Sequence, residues 1–185
     1  MTPPLQSKPK LLLAQEGRRV KVLTVVTLFF CGMGPLFIFR YYQMGIPSLS
    51  AAVLVAMLLG GLTLVWVRKG GSVDKGGVLV TSVLLVLLIY SNLCSGGIGD
   101  PNFGWLYVVP ILGALLVSAF VGWVFTGVVF VLAVLFWLAP EYGFEIPNYI
   151  PPELRREQSL ANRLSSILAI GVMLAALAGQ QKYSR

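Results

Sequence analysis

The 185-residue sequence contains no histidine, only two cysteines and only seven acidic residues. Without imidazole there is no histidine metal ligand, no histidine-ligated haem, no histidine-activated serine or cysteine nucleophile and no phosphoaccepting histidine. Charged residues make up 11% of the chain, against roughly 25% in a globular domain. Too few charges remain to solvate a closed surface, which excludes a soluble enzyme. What fills the space is apolar: 57% of residues are hydrophobic and the mean hydropathy is +0.83, the composition of an integral membrane protein. Neither a metal nor a cofactor is expected from this inventory, and Cys31 and Cys94 are expected to be free thiols behaving as small apolar residues.

A helix needs about 20 mostly apolar residues to cross the hydrocarbon core. Uncharged runs of that kind are Val22–Phe39, containing Pro35, then Pro47–Val67 and Val78–Cys94, the last opening after Gly76 and Gly77. The run Phe103–Ala139 would reach about 55 Å as one helix, against a core of about 30 Å. It must fold back. The small residues from Ser118 to Gly122 mark the reversal and divide it into spans 103–117 and 121–139. A last span, 160–179, carries Arg163 near its start. The expected fold is therefore an all-α, polytopic bundle of six transmembrane helices. It is preceded by an N-terminal segment (1–21) in which Leu11–Arg19 forms a short interfacial helix, and is followed by the start of an exit helix (180–185).

Orientation follows from Lys and Arg, which are in excess on the cytoplasmic side. Lys8, Lys10, Arg18, Arg19, Lys21, Arg68, Lys69, Lys75, Lys182 and Arg185 fall on one side. Arg40, Arg155, Arg156 and Arg163 fall on the other, together with Asp100, Glu141, Glu145, Glu153 and Glu157. Both termini are thus expected in the cytoplasm. The net charge of +7 is accounted for by topology and anionic lipid, leaving nothing that points to nucleic acid.

Ionisable groups within spans are the usual functional flag in a membrane, and only Arg163 qualifies. It reads either as an interfacial anchor pairing with Glu157 or Asp100, or as a ligand contact. The absence of mid-depth carboxylates argues against a proton-coupled transporter or an acidic cation channel. Around the third and fourth spans, Tyr90, Asn92, Asp100, Asn102, Trp105 and Tyr107 gather with Ser91 and the Ser95–Pro101 connection. Such residues form either an aromatic interfacial belt or a shallow outer pocket for a small amphiphile or lipid. The Pro140–Gln158 connection reads as an ordered cap. From Pro151 and Pro152 onward the pattern starts a helix that continues into the last span. Gly171, Ala175 and Gly179 form a small-residue stripe suited to packing within the bundle or to a homodimer seam. Gly60, Gly61, Gly122 and Gly127 read as sites that relieve crowding.

With Ser95-Gly96-Gly97, then Asp100-Pro101, Trp105 and Pro110 at the third-to-fourth junction, the chain resembles the six-helix membrane domains at the N-terminus of bacterial class III adenylate and guanylate cyclases. Similar modules precede diguanylate cyclases and sensor histidine kinases. The resemblance implies an inner-membrane domain that dimerises, senses a ligand and relays the signal through its last helix to a cytoplasmic cyclase or kinase domain further along the same chain. No catalytic residue is carried over, so the chain itself is not expected to be an enzyme. Two other readings remain: a small transporter for an apolar or zwitterionic solute, though residues 22–94 and 103–179 show no internal repeat, and a lipid-acting enzyme, though Asp100, Glu141 and Glu145 have no spacing that forces them together.

Overall fold

The computed structural model describes the backbone of residues 7–99 and 101–182 and the side chains of residues 17, 19–98 and 102–175. Among these the chain is helical apart from its connections, with no strand and one isolated bridge. The first helix, α1 (Ser7–Gln43), is unbroken through Pro35. The segment 11–19, expected as a short interfacial helix, is helical and continuous with the rest of α1. A turn with Gly45 in the left-handed region (φ 75°) leads to α2 (Pro47–Arg68), whose proline stands where its missing N–H would have had no partner. The third helix, α3 (Val73–Ser95), starts earlier than the uncharged run suggested. Ser72 caps it by accepting from the Lys75 N–H, and Asp74 sits in the first turn, where a negative charge complements the helix dipole. Gly76 and Gly77, read in the sequence as an opening boundary, lie inside α3 and let Val67 and the Leu116–Val117 corner approach.

The fourth apolar segment is not one α-helix. Pro101–Tyr107 is a seven-residue 3-10 helix leading into α4 (Val108–Leu116), nine residues long. Pro110 explains the change of geometry: it fits the first turn of a new α-helix but would interrupt an older one. The steeper 3-10 rise gives the combined segment a length of about 27 Å. The chain then reverses at Val117 and Ser118. Ser118 caps α5 (Ala119–Leu138) by accepting from the Val121 N–H, within the stretch that sequence reading selected. The sixth helix, α6 (Arg155–Lys182), follows a short 3-10 turn at Pro152–Leu154 and is 28 residues long, about 42 Å.

Four helical stretches are long and apolar enough to cross a membrane: Arg19–Gln43, Pro47–Arg68, Val73–Ser95 and Ala119–Tyr142; Asn102–Leu116 is a shorter apolar one. These are the helices of a membrane protein. Their apolar residues are far from all internal: Phe120, Trp123, Phe130 and Trp137 on α5 are exposed, as are Leu36, Leu58 and Leu62. In water such a surface would aggregate; in lipid it is the ordinary outer face.

One core links the helices, built on Leu23 and Val26 of α1, Leu106, Val108, Val109 and Leu112 of the fourth segment and Met173 of α6. At the end where α2 meets α3, Arg19 of α1 pairs with Asp74 and donates to the Val117 carbonyl. One guanidinium thus joins α1, the start of α3 and the α4–α5 corner. The α4–α5 hairpin brings backbone close to backbone. A Cβ on Gly122 would lie 2.7 Å from the Ala114 Cβ and 3.1 Å from two of its backbone atoms, whereas one on Gly127 would meet nothing within 4 Å. Gly122 therefore relieves crowding, as read, and Gly127 does not. Replacing Gly122 with alanine should cost about 1–3 kcal/mol, since backbone cannot yield as a side chain can. Gly127→Ala should be neutral or stabilising by up to about 1 kcal/mol. Unfolding titrations in mixed detergent micelles distinguish the two; equal effects would refute the close approach.

Candidate functional site

Buried polar side chains are rare enough here to trace one by one. Most bond within their own helix: the hydroxyls of Thr24, Thr63, Thr81 and Thr126 donate to carbonyls one turn back, as does that of Ser165. Ser50 reaches across to the Ile38 carbonyl at 3.0 Å. Among the described residues a single polar chain joins three elements through side chains alone. Arg40, near the end of α1, donates from Nε to Gln158 Oε1 on α6. Gln158 Nε2 donates to Asn162 Oδ1, one turn further along α6, at 3.3 Å. Asn162 Nδ2 donates to Asn102 Oδ1 in the 3-10 segment. Gln158, Asn162 and Asn102 are all at least 98% buried, with relative exposures of 1%, 1% and 2%.

The direction of this relay is dictated chemically. Arginine has donors only, so Gln158 must turn its oxygen to Arg40 and its amide nitrogen to Asn162. Asn162 must then present oxygen to Gln158 and nitrogen to Asn102. Each carboxamide is oriented by the one before it, and the ordering starts from the single charge.

Beside the relay lies a cavity of about 110 Å³ between α1, α2 and α3. On α1 its lining extends from Thr27 to Tyr41, a length of about 21 Å. Apolar side chains form nearly all of the wall, including Met33, Phe37, Val53, Met57, Leu84 and Leu88. Trp105 closes one side, with its ring 6.2 Å from both Phe30 and Phe37. Asn102, Asn162 and Ser91 supply polarity near one end and Thr27 at the other. No Asp, Glu, Lys or Arg lines it.

The connection between α5 and α6 is an ordered cap over the end where α1 meets α2. Asn148 bridges to Ser95, and the Tyr149 N–H donates to the Cys94 carbonyl at 3.0 Å. Gly96 is left-handed there (φ 96°), and a Cβ on it would lie 3.1 Å from the Asn148 amide. This places Ile150, 2% exposed, among Tyr41, Leu49 and Val53. The last three also line the cavity, and Ile150, outside the lining, backs them as a plug behind that end. Arg155 Nε donates to the Ile150 carbonyl, joining the plug to the first turn of α6.

Of the residues singled out in the sequence, Asn102 and Trp105 line the cavity. Asn92 is fully buried and bonds the Leu88 carbonyl, but neither it nor Tyr90 belongs to the lining. Tyr107 is exposed and stacks edge-on with Phe103. Arg163 is exposed and forms no ion pair among the described residues, where Arg19–Asp74 is the one found. Asp100 lies outside the described residues. On α6, Gly171 and Ala175 are exposed, and a Cβ on Gly171 would meet nothing within 4 Å; Gly179 continues the helix, its surroundings outside the described residues. Within the described chain the stripe does not pack into the bundle. Cys31 and Cys94 are free thiols.

Sequence reading missed Arg40, Gln158, Asn162 and Thr27. The available signal was the α6 stripe Gln158, Asn162, Ser165, Ala169 and Met173, all buried at helical spacing; a search restricted to ionisable groups passes over carboxamides. No protein-family model matches the chain, and comparison with curated proteins and with solved structures gave no match.

An interhelical hydrogen bond in a membrane is worth only about 0.6 kcal/mol on average, whereas a buried polar group left without its partner costs about 1–3 kcal/mol. Gln158→Leu, which orphans both Arg40 and Asn162, should therefore destabilise by at least about 1–3 kcal/mol. Replacing Gln158, Asn162 and Asn102 together with leucine should cost less than the single change. Detergent unfolding followed by circular dichroism tests this; a triple variant worse than the single one would show that the relay is valued for its bonds and not for mutual satisfaction.

Proposed function

We propose that the chain is a membrane-embedded sensor and dimerisation domain that reports occupancy of its cavity through α6. The observation that carries this reading is that α6 has two working faces: Asn162 and Gln158 on the buried one touch the cavity and the relay, while Gly171 and Ala175 lie on an uncovered one. A ligand that changes contacts at Asn162 changes the forces on the same rigid rod that presents the small-residue stripe. By analogy with helix dimers in which small residues permit close approach, the stripe serves a homodimer.

In this reading the chain crosses a bacterial plasma membrane six times, with both termini in the cytoplasm. The 3-10 plus α4 segment is the fourth crossing, supported by its length of about 27 Å against a core of about 30 Å. The inner portion of α6 is the sixth. Lys and Arg counts set the orientation, putting the cap and plug outside and the Arg19 clamp inside. A cyclase or kinase domain beyond Arg185 receives the output. The reading asks no chemistry of the chain itself.

Two experiments test it. Reporter fusions at the N-terminus and after Arg185 should both report a cytoplasmic location, while one inserted after Gly143 should report the outside; ends on opposite faces would overturn six crossings. In a background with Cys31 and Cys94 replaced by alanine, single cysteines at positions 171, 175 and 179 should form symmetric crosslinks in native membranes. Asn162→Leu should change their relative yields. Absence of any symmetric crosslink would rule out a seam along α6, and yields indifferent to Asn162 would rule out coupling to the cavity.

A further inference from the structure

Thr27 breaks a rule that every other described threonine obeys. Thr24, Thr63, Thr81 and Thr126 satisfy their hydroxyls on the carbonyl one turn back, at 2.7–2.9 Å. The same solution is open to Thr27 through Leu23, yet its Oγ1 is buried and has no hydrogen-bond partner among the described residues. Thr27 is 2% exposed and lines the inner end of the cavity. A buried hydroxyl that forgoes its cheap local partner beside an empty volume marks a contact to something held there.

Water is a poor candidate. A buried water needs two to four polar partners, whereas Gly60 lies against Thr27 and the lining residues one turn further along α1 are Phe30 and Cys31. A molecule that brings an oxygen on a covalent tether needs only the one bond. The shape of the space sets the tether: about 110 Å³ drawn out over about 21 Å is narrow, whereas a compact apolar cavity of about 150 Å³ accepts a benzene ring. One column of methylenes fits and a fused ring system does not. The far end sets the other terminus. Asn162 has one amide proton engaged with Asn102, and its second remains available to an acceptor. Finally, no charged residue lines the cavity and Arg40 stands outside its lining, behind Gln158, so a charged ligand within it would be left without a counter-ion in an apolar space.

We propose that the cavity binds a slender, uncharged chain carrying a hydroxyl or carbonyl oxygen at each end, one end on Thr27 Oγ1 and the other on Asn162 Nδ2. This assignment rests on the cavity being the sensing site. Ligand length is then the specificity element, read between two fixed polar points.

The test uses the full chain in lipid nanodiscs and alkane-α,ω-diols bearing a central photoreactive diazirine, compared with matched mono-alcohols, carboxylates and amines. The diol series should label peptides of α1, α2 and α3 with a maximum at one length, more strongly than the mono-alcohols, and the charged probes least. The near-isosteric Thr27→Val should lower diol labelling about three- to tenfold, as expected for one hydrogen bond, and mono-alcohol labelling by less, since a lone hydroxyl can still turn to Asn162. Ala56→Trp should abolish labelling by filling the space. Long diols supplied in the nanodisc lipid and short ones supplied in buffer separate a bilayer-borne from a water-borne ligand by which of them labels. The proposal is overturned if carboxylates or amines label as well as diols, if no length is preferred, or if Thr27→Val changes nothing. Diol labelling that leaves the crosslinks at 171 and 175 unmoved would refute the sensor reading and leave the ligand assignment standing. Crosslinks that respond to another class of molecule but not to diols would refute the ligand assignment alone.

Discussion

An arginine can only donate, and most of the polar order in this bundle follows from that. Arg40 turns Gln158, Gln158 turns Asn162, and Asn162 turns Asn102. In an apolar interior no competing water lets an amide reverse, so the charge at one end of α1 fixes hydrogen-bond polarity one helical turn along α6 and across into the 3-10 segment. It also fixes where α6 sits. Sliding the rod by one turn would exchange two satisfied carboxamides for two orphans, at about 1–3 kcal/mol each, which exceeds what apolar packing against lipid-like surfaces can restore. The relay specifies a register more than it adds stability.

Around that register the remaining helices divide by how much they are enclosed. The first three bring their apolar faces to a shared cavity, and the fourth segment supplies the best-buried residues of the core, with Leu106, Val108, Val109 and Leu112 at 0% exposure. The fifth helix sits outside, held to α4 by the glycine contact at Gly122 and presenting Phe120, Trp123, Phe130 and Trp137 outward. The 3-10 stretch is what lets the fourth segment serve both ends. Its steeper rise carries Asn102 to the relay and still leaves Leu116 beside Gly77 and the Arg19 clamp. A straight α-helix of the same residues would fall several ångströms short, since each 3-10 residue adds about 0.5 Å over an α residue.

Much of this was legible in the sequence, and for identifiable reasons. Charge scarcity and uncharged run lengths gave an all-helical membrane protein, because only helices and closed barrels satisfy backbone groups in lipid and these unbroken apolar runs lack the alternation of barrel strands. Proline and serine placed the α4–α5 reversal and the start of α6, since both act through local backbone geometry. The cap was legible as ordered because its prolines and aromatics alternate. The illegible parts depend on distant partners. Gly76 and Gly77 looked like a boundary and are a packing site, a difference decided by Val67 and Leu116 on other helices. The pocket was expected around Tyr90, Asn92 and Tyr107, but the polar groups that line it come from Asn102, Asn162, Ser91 and Thr27, on four different elements. Trp105 and Asn102 were found from local clustering; Asn162 was not, because a lone carboxamide in an apolar helix carries little signal until its partner is known.

The weakness of membrane hydrogen bonds bears on what the relay can do. At about 0.6 kcal/mol apiece, the two bonds that leave α6, Arg40–Gln158 and Asn162–Asn102, tie it down by about 1.2 kcal/mol, which places a displaced state whose carboxamides find new partners at about a tenth of the population. A relay built from charged pairs would hold far more tightly and would need a far tighter ligand to move it. Carboxamides set the energy gap within reach of one or two ligand contacts, since a ligand shifts an equilibrium only by its difference in affinity for the two states. The plug follows the same logic. Ile150 is tied to α6 by one bond from Arg155, and the chain just before it to α3 by the backbone pairing at Cys94 and Ser95, so the cap behind that end of the cavity is joined to the helix that carries the relay. In the proposed sensor, neutral polarity near one end of the cavity, an apolar plug behind that end and a rigid rod bearing contacts to both are the parts that would make cavity occupancy and helix position one variable.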